Sequence, residues 1–327
     1  MTVPASAAPA IRVDGLVRRF GELVAVDGLS FDVAAGETFG LLGHNGAGKT
    51  TTIRVVNGVL GRQSGSVSVL GLDPATDGEA VRGRTGVLTE TPSLDERLTA
   101  SENLEFYGRL YGVARSELGD RVAASLRAFG LESRGREPAA GFSRGMKQRV
   151  ALARTLLHDP DVVFLDEPTA ALDPVAAREV HELVEGFRRD RRRTVVLTTH
   201  NLIEAQRLCD RVVILQRGRA LAIGTPAELG RAVQSVGSVV IRVGPGETSQ
   251  ARRALVDAGF ADVVVDGDAV RVAADTTAAI PAAVRALVAA GLSVYRVAET
   301  EPDLEAAYFA LHASAMPGDG APVPTSG

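Results

Sequence analysis

Gly43-His44-Asn45-Gly46-Ala47-Gly48-Lys49-Thr50 constrains this 327-residue chain more than any other stretch. It satisfies G-x-x-x-x-G-K-[ST] at every fixed position, a loop whose backbone N–H groups converge on one anion. The glycines permit that curl, which a Cβ would obstruct. Lys49 is placed to reach the β- and γ-phosphates of a nucleotide, and the Thr50 hydroxyl to ligate Mg²⁺. An apolar run, Thr38 to Leu42, precedes the loop, and Thr51-Thr52-Ile53-Arg54-Val55-Val56 continues it with helical character. Strand, loop and helix in that order set a helix N-terminus against phosphate. His44, Asn45, Ala47 and Thr51 complete the expected cradle.

The length suits one large domain and a smaller one. Hydrophobic and charged contents of 45% and 23% are those of soluble globular proteins. A net charge of −4 argues against a global electrostatic grip, so no nucleic-acid partner is expected. The single cysteine, Cys209, excludes an internal disulfide and a multi-cysteine zinc site and suits a reducing interior. Residues 1–10 lack a basic start and a long apolar core, so they read as a disordered lead-in and not a signal peptide. No stretch approaches the ~18 uninterrupted apolar residues of a membrane span, so a membrane role needs a partner protein.

From residue 11 to 230, short β-branched runs alternate with helical patterns, the mark of an α/β domain with a parallel sheet. Strand candidates are Ile11 to Val13, Thr38 to Leu42, Val162 to Leu165, Thr194 to Thr198 and Val212 to Leu215. Over about 91–157 strands give way to a helical insert. There Thr99-Ala100-Ser101-Glu102 reads as a capping box ahead of Leu104, Phe106, Tyr107, Leu110 and Tyr111 on one helix face. Residues 236–314 read as βαββαβ, the order of a small ferredoxin-like α+β accessory domain, and 315–327 as a disordered tail. Each motif occurs once, so internal duplication is not expected.

Val162-Val163-Phe164-Leu165-Asp166-Glu167 is an apolar strand ending in two acids. Asp166 is suited to hold Mg²⁺ beside the phosphate loop, and Glu167 to accept a proton from water attacking a γ-phosphate. Ser143-Arg144-Gly145 opens an apolar helix, and a serine N-cap before glycine exposes N–H groups at the positive end of a helix dipole. Arg188 to Arg193 reads as the solvated end of a helix leading into the Thr194 strand.

Taken in order, these motifs make the segment from Ile11 to Gly230 resemble an ATP-binding cassette (ABC) ATPase. Gly43 to Thr50 matches the Walker A loop and Val162 to Glu167 the Walker B strand. Phe142-Ser143-Arg144-Gly145-Met146 resembles the signature Leu-Ser-Gly-Gly-Gln, Ala171-Leu172-Asp173 the D-loop, and Thr199-His200 the switch histidine. The resemblance implies a P-loop cassette fold that binds ATP with Mg²⁺. It further implies that Phe20 stacks on adenine, that Ser143 and Gly145 contact the γ-phosphate bound to the opposite subunit, that Asp173 joins the two halves, and that His200 contacts the γ-phosphate. Two departures stand out. Glu90 falls where the family carries glutamine, as a candidate metal ligand or water-orienting group that adds negative charge. Arg144 and Met146 replace signature glycine and glutamine.

The signature variant, Glu90 and the C-terminal domain resemble the drug-resistance, daunorubicin-type exporter branch, as does Glu301 to Phe309. That resemblance implies a homodimer of ATPase subunits on the cytoplasmic face of the membrane, held by a separate integral membrane permease, with efflux of a drug or hydrophobic compound. The helical insert is the expected docking surface, and regulation or dimer support the expected role of the C-terminal domain. Two other readings stay open: a soluble ABC ATPase acting on the ribosome or DNA, and a weakly hydrolysing ATP-binding regulatory module. Against the first, the chain has one ATPase half and no long heptad arms.

Overall fold

The computed structural model describes residues 8–314 except 92, 171, 234–237, 274–275 and 301–303. The start of the lead-in, Ala171 of the D-loop, Glu301, Pro302 and Asp303, and the tail from residue 315 lie outside the described residues. Contacts divide the chain into Met1–Thr225 and Pro226–Gly327.

In the first unit, β1 (Ile11–Phe20) turns at Gly21 into the antiparallel β2 (Leu23–Val33). Register shifts after Val13 break the alternation of β1, which is why its pattern is legible only at Ile11 to Val13. Next come β3 (Thr38–Leu42) and α1 (Lys49–Val56). Strand β4 (Ser64–Val69) completes a three-stranded sheet of order β2-β1-β4. Helix α2 (Gly78–Gly83) leads to β5 (Thr85–Leu88), and the insert supplies α3 (Ala100–Leu110), α4 (Arg115–Ala128) and α5 (Arg144–Leu156). The unit closes with β6 (Val162–Asp166), α6 (Pro174–Asp190), β7 (Thr194–Thr199), α7 (Leu202–Leu208), β8 (Arg211–Gln216) and β9 (Arg219–Gly224).

These strands form a second sheet of order β5-β6-β7-β3-β8-β9, parallel except for β9. Every residue of β3, β6 and β7 is buried, as expected of strands with apolar centres (Phe39 to Leu42, Val162 to Leu165, Val195 to Leu197) covered on both faces. Phe39 of β3 stacks on Phe31 of β2 with ring centroids 5.3 Å apart, locking the two sheets around one core. The carboxyl ends of β3, β6 and β7 open on the same edge, where parallel α/β sheets bind ligands.

In the insert, the Thr99 hydroxyl accepts from Glu102 N–H at 3.1 Å and Glu102 accepts from Thr99 N–H at 2.8 Å, a complete capping box. The single apolar face expected of α3 is corrected. Leu104 is buried with Ala100 and Gly108, whereas Phe106 and Leu110 are 58% and 68% exposed. At about 3.6 residues per turn, positions 106 and 110 fall opposite 104 and 108. The arginine run behaves as a helix end: α6 stops at Asp190, Arg191 takes the left-handed cap, and β7 starts at Thr194.

The second unit begins with α8 (Pro226–Val233), ahead of the boundary expected at residue 230, because α8 packs against the last helix. It continues with β10 (Ser238–Val243), α9 (Thr248–Asp257), β11 (Val263–Asp266), β12 (Ala269–Ala273), α10 (Thr276–Ala289), β13 (Val294–Thr300) and α11 (Leu304–Ser314). Its antiparallel sheet has the order β13-β10-β12-β11, the ferredoxin-like arrangement. Val239, Ile241, Val270 and Val272 form its core with Leu255 of α9 and Leu287 of α10.

Candidate functional site: a nucleotide cleft at the sheet edge

The loop leaving β3 enters α1 at Gly48, whose φ of 105° is left-handed; a Cβ there would lie 2.5 Å from the Ala25 carbonyl oxygen. Only glycine fits both demands. No side chain caps α1. By contrast, Ser143 accepts from Met146 N–H at 3.2 Å, Asp173 from Val175 N–H at 2.9 Å and Asn201 from Ile203 N–H at 3.1 Å, so α5, α6 and α7 are capped from within. The first-turn N–H groups of α1 are therefore left to an external anion at the positive end of the helix dipole.

Lys49 is 6% exposed; its Nζ donates to Gly43 O at 2.6 Å and sits 3.0 Å from Glu167 Oε1. That carboxylate oxygen is buried without a hydrogen bond among the described residues, so its contact with Lys49 is one of charge. Glu167 has a φ of 48°, the left-handed region that a side chain disfavours. Its N–H donates to Thr198 Oγ1 at 2.9 Å and to Thr198 O at 3.1 Å, and its Oε2 accepts from His200 Nδ1 at 2.8 Å. The neighbouring strands thus hold Glu167 against its own backbone preference.

Asp166 Oδ1 accepts from Thr198 Oγ1 at 2.6 Å and from Thr50 Oγ1 at 3.3 Å. A hydroxyl and a carboxylate, both hard oxygens, are a donor set that fits Mg²⁺, which takes few protein ligands and completes its shell with water and phosphate.

Lys49, Thr50 and Glu167 border a cavity of about 370 Å³ lined by residues 44–51 with Phe20, Glu90, Glu167 and His200, and Asp166 sits behind Thr50. Phe20 is 44% exposed at its rim, and the Arg18 guanidinium lies 4.5 Å from its ring centroid. Glu90 is exposed and also borders an adjacent cavity of about 360 Å³ shared with Arg144, Lys147 and Gln148, which places Glu90 and the signature departure Arg144 on one hollow; Met146 packs against the apolar core of the insert. Ser143, Gly145 and Asp173 lie away from the phosphate loop. They gather at the N-termini of α5 and α6, where a Cβ on Gly145 would sit 3.1 Å from Ala176 Cβ and 4.0 Å from Asp173 Oδ2.

Sequence reading missed the supports. Gln148 Nε2 donates to Pro168 O at 2.7 Å, Thr198 bridges Asp166 and Glu167, and Leu23, Val24 and Ala25 wall the cleft from β2. The apolar run after the Gly21 turn was the one available signal for β2; Thr198 and Gln148 carry none until the strands are paired.

A parallel sheet whose strand ends bring an uncapped, glycine-led helix, its lysine, two acids and a histidine into one cleft defines a P-loop nucleotide-binding cassette. Residues 26–170 match the family model described as ABC transporter. A daunorubicin resistance ATP-binding protein of Streptomyces coeruleorubidus is 38% identical over 305 residues, covering 92% of this chain and 95% of its own length. A Nod factor export ATP-binding protein of Rhizobium meliloti is 37% identical over 271 residues, 82% of this chain and 80% of its own. Among solved structures, an ATP-binding subunit of an ABC transporter superposes with a TM-score of 0.63 at 34% identity, over 68% of this chain and 92% of that one. CbiO1 of Clostridium perfringens, part of the complex cbiONQ, gives 0.62 at 27% identity, over 69% and 95%.

The chain belongs to the ABC transporter ATPase family. It is the ATP-binding, ATP-hydrolysing kind of subunit, and among its described residues no helix is long and apolar enough to cross a membrane.

Proposed function

We propose that this chain is the ATPase of an exporter, working as a homodimer on the cytoplasmic face of the membrane beneath a separate permease. The export reading rests on relatives named for daunorubicin resistance and Nod factor export. ATP phosphates take the place of Glu167 at Lys49 and lie on the first-turn N–H groups of α1, with the adenine ring at Phe20. Thr50 and Asp166, joined by Glu90 at the cleft edge, would hold Mg²⁺, which offsets phosphate charge when bound. Glu167, released from Lys49, accepts the proton of the attacking water. His200 orients that carboxylate through their 2.8 Å contact and reaches the γ-phosphate.

Ser143, Gly145 and Asp173 act on the nucleotide of the second copy. Their separation from the phosphate loop within one chain supports this reading, because none of the three lines this chain's own cleft. γ-Phosphate contacts shared by both copies favour the closed pair, and hydrolysis removes them. Exposed Phe106 and Leu110 of α3 offer an apolar surface for the permease, and the second unit serves regulation or dimer support.

Glu167→Gln tests the core of this scheme. It keeps the shape of the site but lacks a basic oxygen, so it retains ATP, turns over about 100-fold slower or worse, and accumulates as a nucleotide-bound dimer on gel filtration. Wild-type turnover in that variant would remove Glu167 from the role of base.

A further inference from the structure

Two segments meet twice at the back of this cleft. The first meeting is Glu167 with His200, 2.8 Å apart at the cleft wall. The second lies two residues further along one segment and four along the other: Thr169 Oγ1 donates to Glu204 Oε1 at 2.8 Å. Glu204 sits on α7, the helix that starts directly after His200 and Asn201, and is only 2% exposed. The same Oε1 also accepts from His181 Nε2 of α6 at 2.9 Å, while Oε2 is buried with no hydrogen bond among the described residues. A buried carboxylate left half-satisfied is costly, and it persists where the geometry it enforces has a use.

That geometry bears on Glu167. Its left-handed backbone must be held from both sides. Thr198 holds its N–H; downstream, the turn is pinned by Gln148 on Pro168 O and by Glu204 on Thr169. Through His181, the same oxygen ties the turn to α6, whose N-cap is Asp173.

We propose that Glu204 is a positioning residue for hydrolysis: its Oε1 clamps Thr169 and His181 together, so that Glu167 and His200 stay in register. The inference rests on Glu167 being the base, and it concerns water activation and not ATP capture. Glu204 borders neither cavity that Glu90 and the phosphate loop line.

Steady-state hydrolysis and fluorescent-nucleotide binding by the full chain test it, with Glu167→Gln as control. Glu204→Ala is expected to lower kcat about 10-fold or more while the KM for ATP stays within about 2-fold. Glu204→Gln keeps an amide oxygen as acceptor and is expected to restore most of that kcat. Thr169→Val, isosteric and milder to the fold, is expected to reproduce the loss if Glu204→Ala fails to accumulate. Wild-type kcat in Thr169→Val, a matched change in kcat and KM, or a Gln variant as slow as the Ala one overturns the clamp. If Glu167→Gln itself turns over normally, the assignment of the base has failed and not the clamp alone.

Discussion

Thr50 Oγ1 lies 3.3 Å from Asp166 Oδ1, although 116 residues separate them in sequence. Thr50 lies in the first turn of α1, after β3, and Asp166 closes β6; β7, between β3 and β6, supplies Thr198 to the same oxygen at 2.6 Å. Two hard oxygens meeting beside an uncapped helix start are a donor set that, in the proposed function, would hold a divalent ion against a triphosphate.

Asp166→Asn keeps the shape and the Thr198 hydrogen bond but removes the charge. Hydrolysis should fall about 100-fold or more, since metal stabilisation of the phosphoryl group is worth several kcal/mol. Titrating Mg²⁺ against turnover checks this: the variant should need far more metal, and an unchanged titration curve would place the ion elsewhere.

Removing Lys49 has two separable consequences. Lys49→Ala should weaken ATP binding about 10-fold or more through the lost charge-assisted bonds to phosphate. It also leaves the buried Glu167 carboxylate without its 3.0 Å counter-charge, so the nucleotide-free protein should melt at a lower temperature. Isothermal titration and a thermal melt read these apart; unchanged affinity would contradict the cradle.

Gly48→Ala probes the backbone alone. The residue would have to adopt a φ of 105° with its Cβ 2.5 Å from Ala25 O. Reduced nucleotide affinity with retained far-UV circular dichroism is expected, as the loop shifts away from β2. A variant binding ATP as tightly as wild type would show that the curl tolerates a side chain.

Cys209 is buried, and that burial, with the Glu204 charge second, pushes its thiol well above the ordinary range. A raised thiol is protonated through neutral pH, and only the thiolate attacks disulfides. The native protein should therefore resist a thiol reagent such as DTNB at pH 8 and react stoichiometrically once denatured. Rapid labelling of the folded chain would show that α7 opens readily.

What the amino-acid sequence determined is local. Gly43 to Thr50 specifies a phosphate-cradling turn because glycine alone adopts its dihedrals, and all-apolar strands such as Val162 to Leu165 announce a sheet buried on both faces. The βαββαβ order after residue 236 was legible for the same reason, since period-2 and period-3.6 patterns alternate there without a break. Strand β2 and the full length of β1 were not, because register shifts interrupt their alternation. Only tertiary structure decided that Phe106 and Leu110 face outward from α3, and that Thr198, Gln148 and Glu204 converge behind Glu167. Hydrogen bonds between residues 20 to 35 apart depend on which strands lie side by side, and the strand order β6-β7-β3 is set by packing of the whole sheet, which no local pattern encodes.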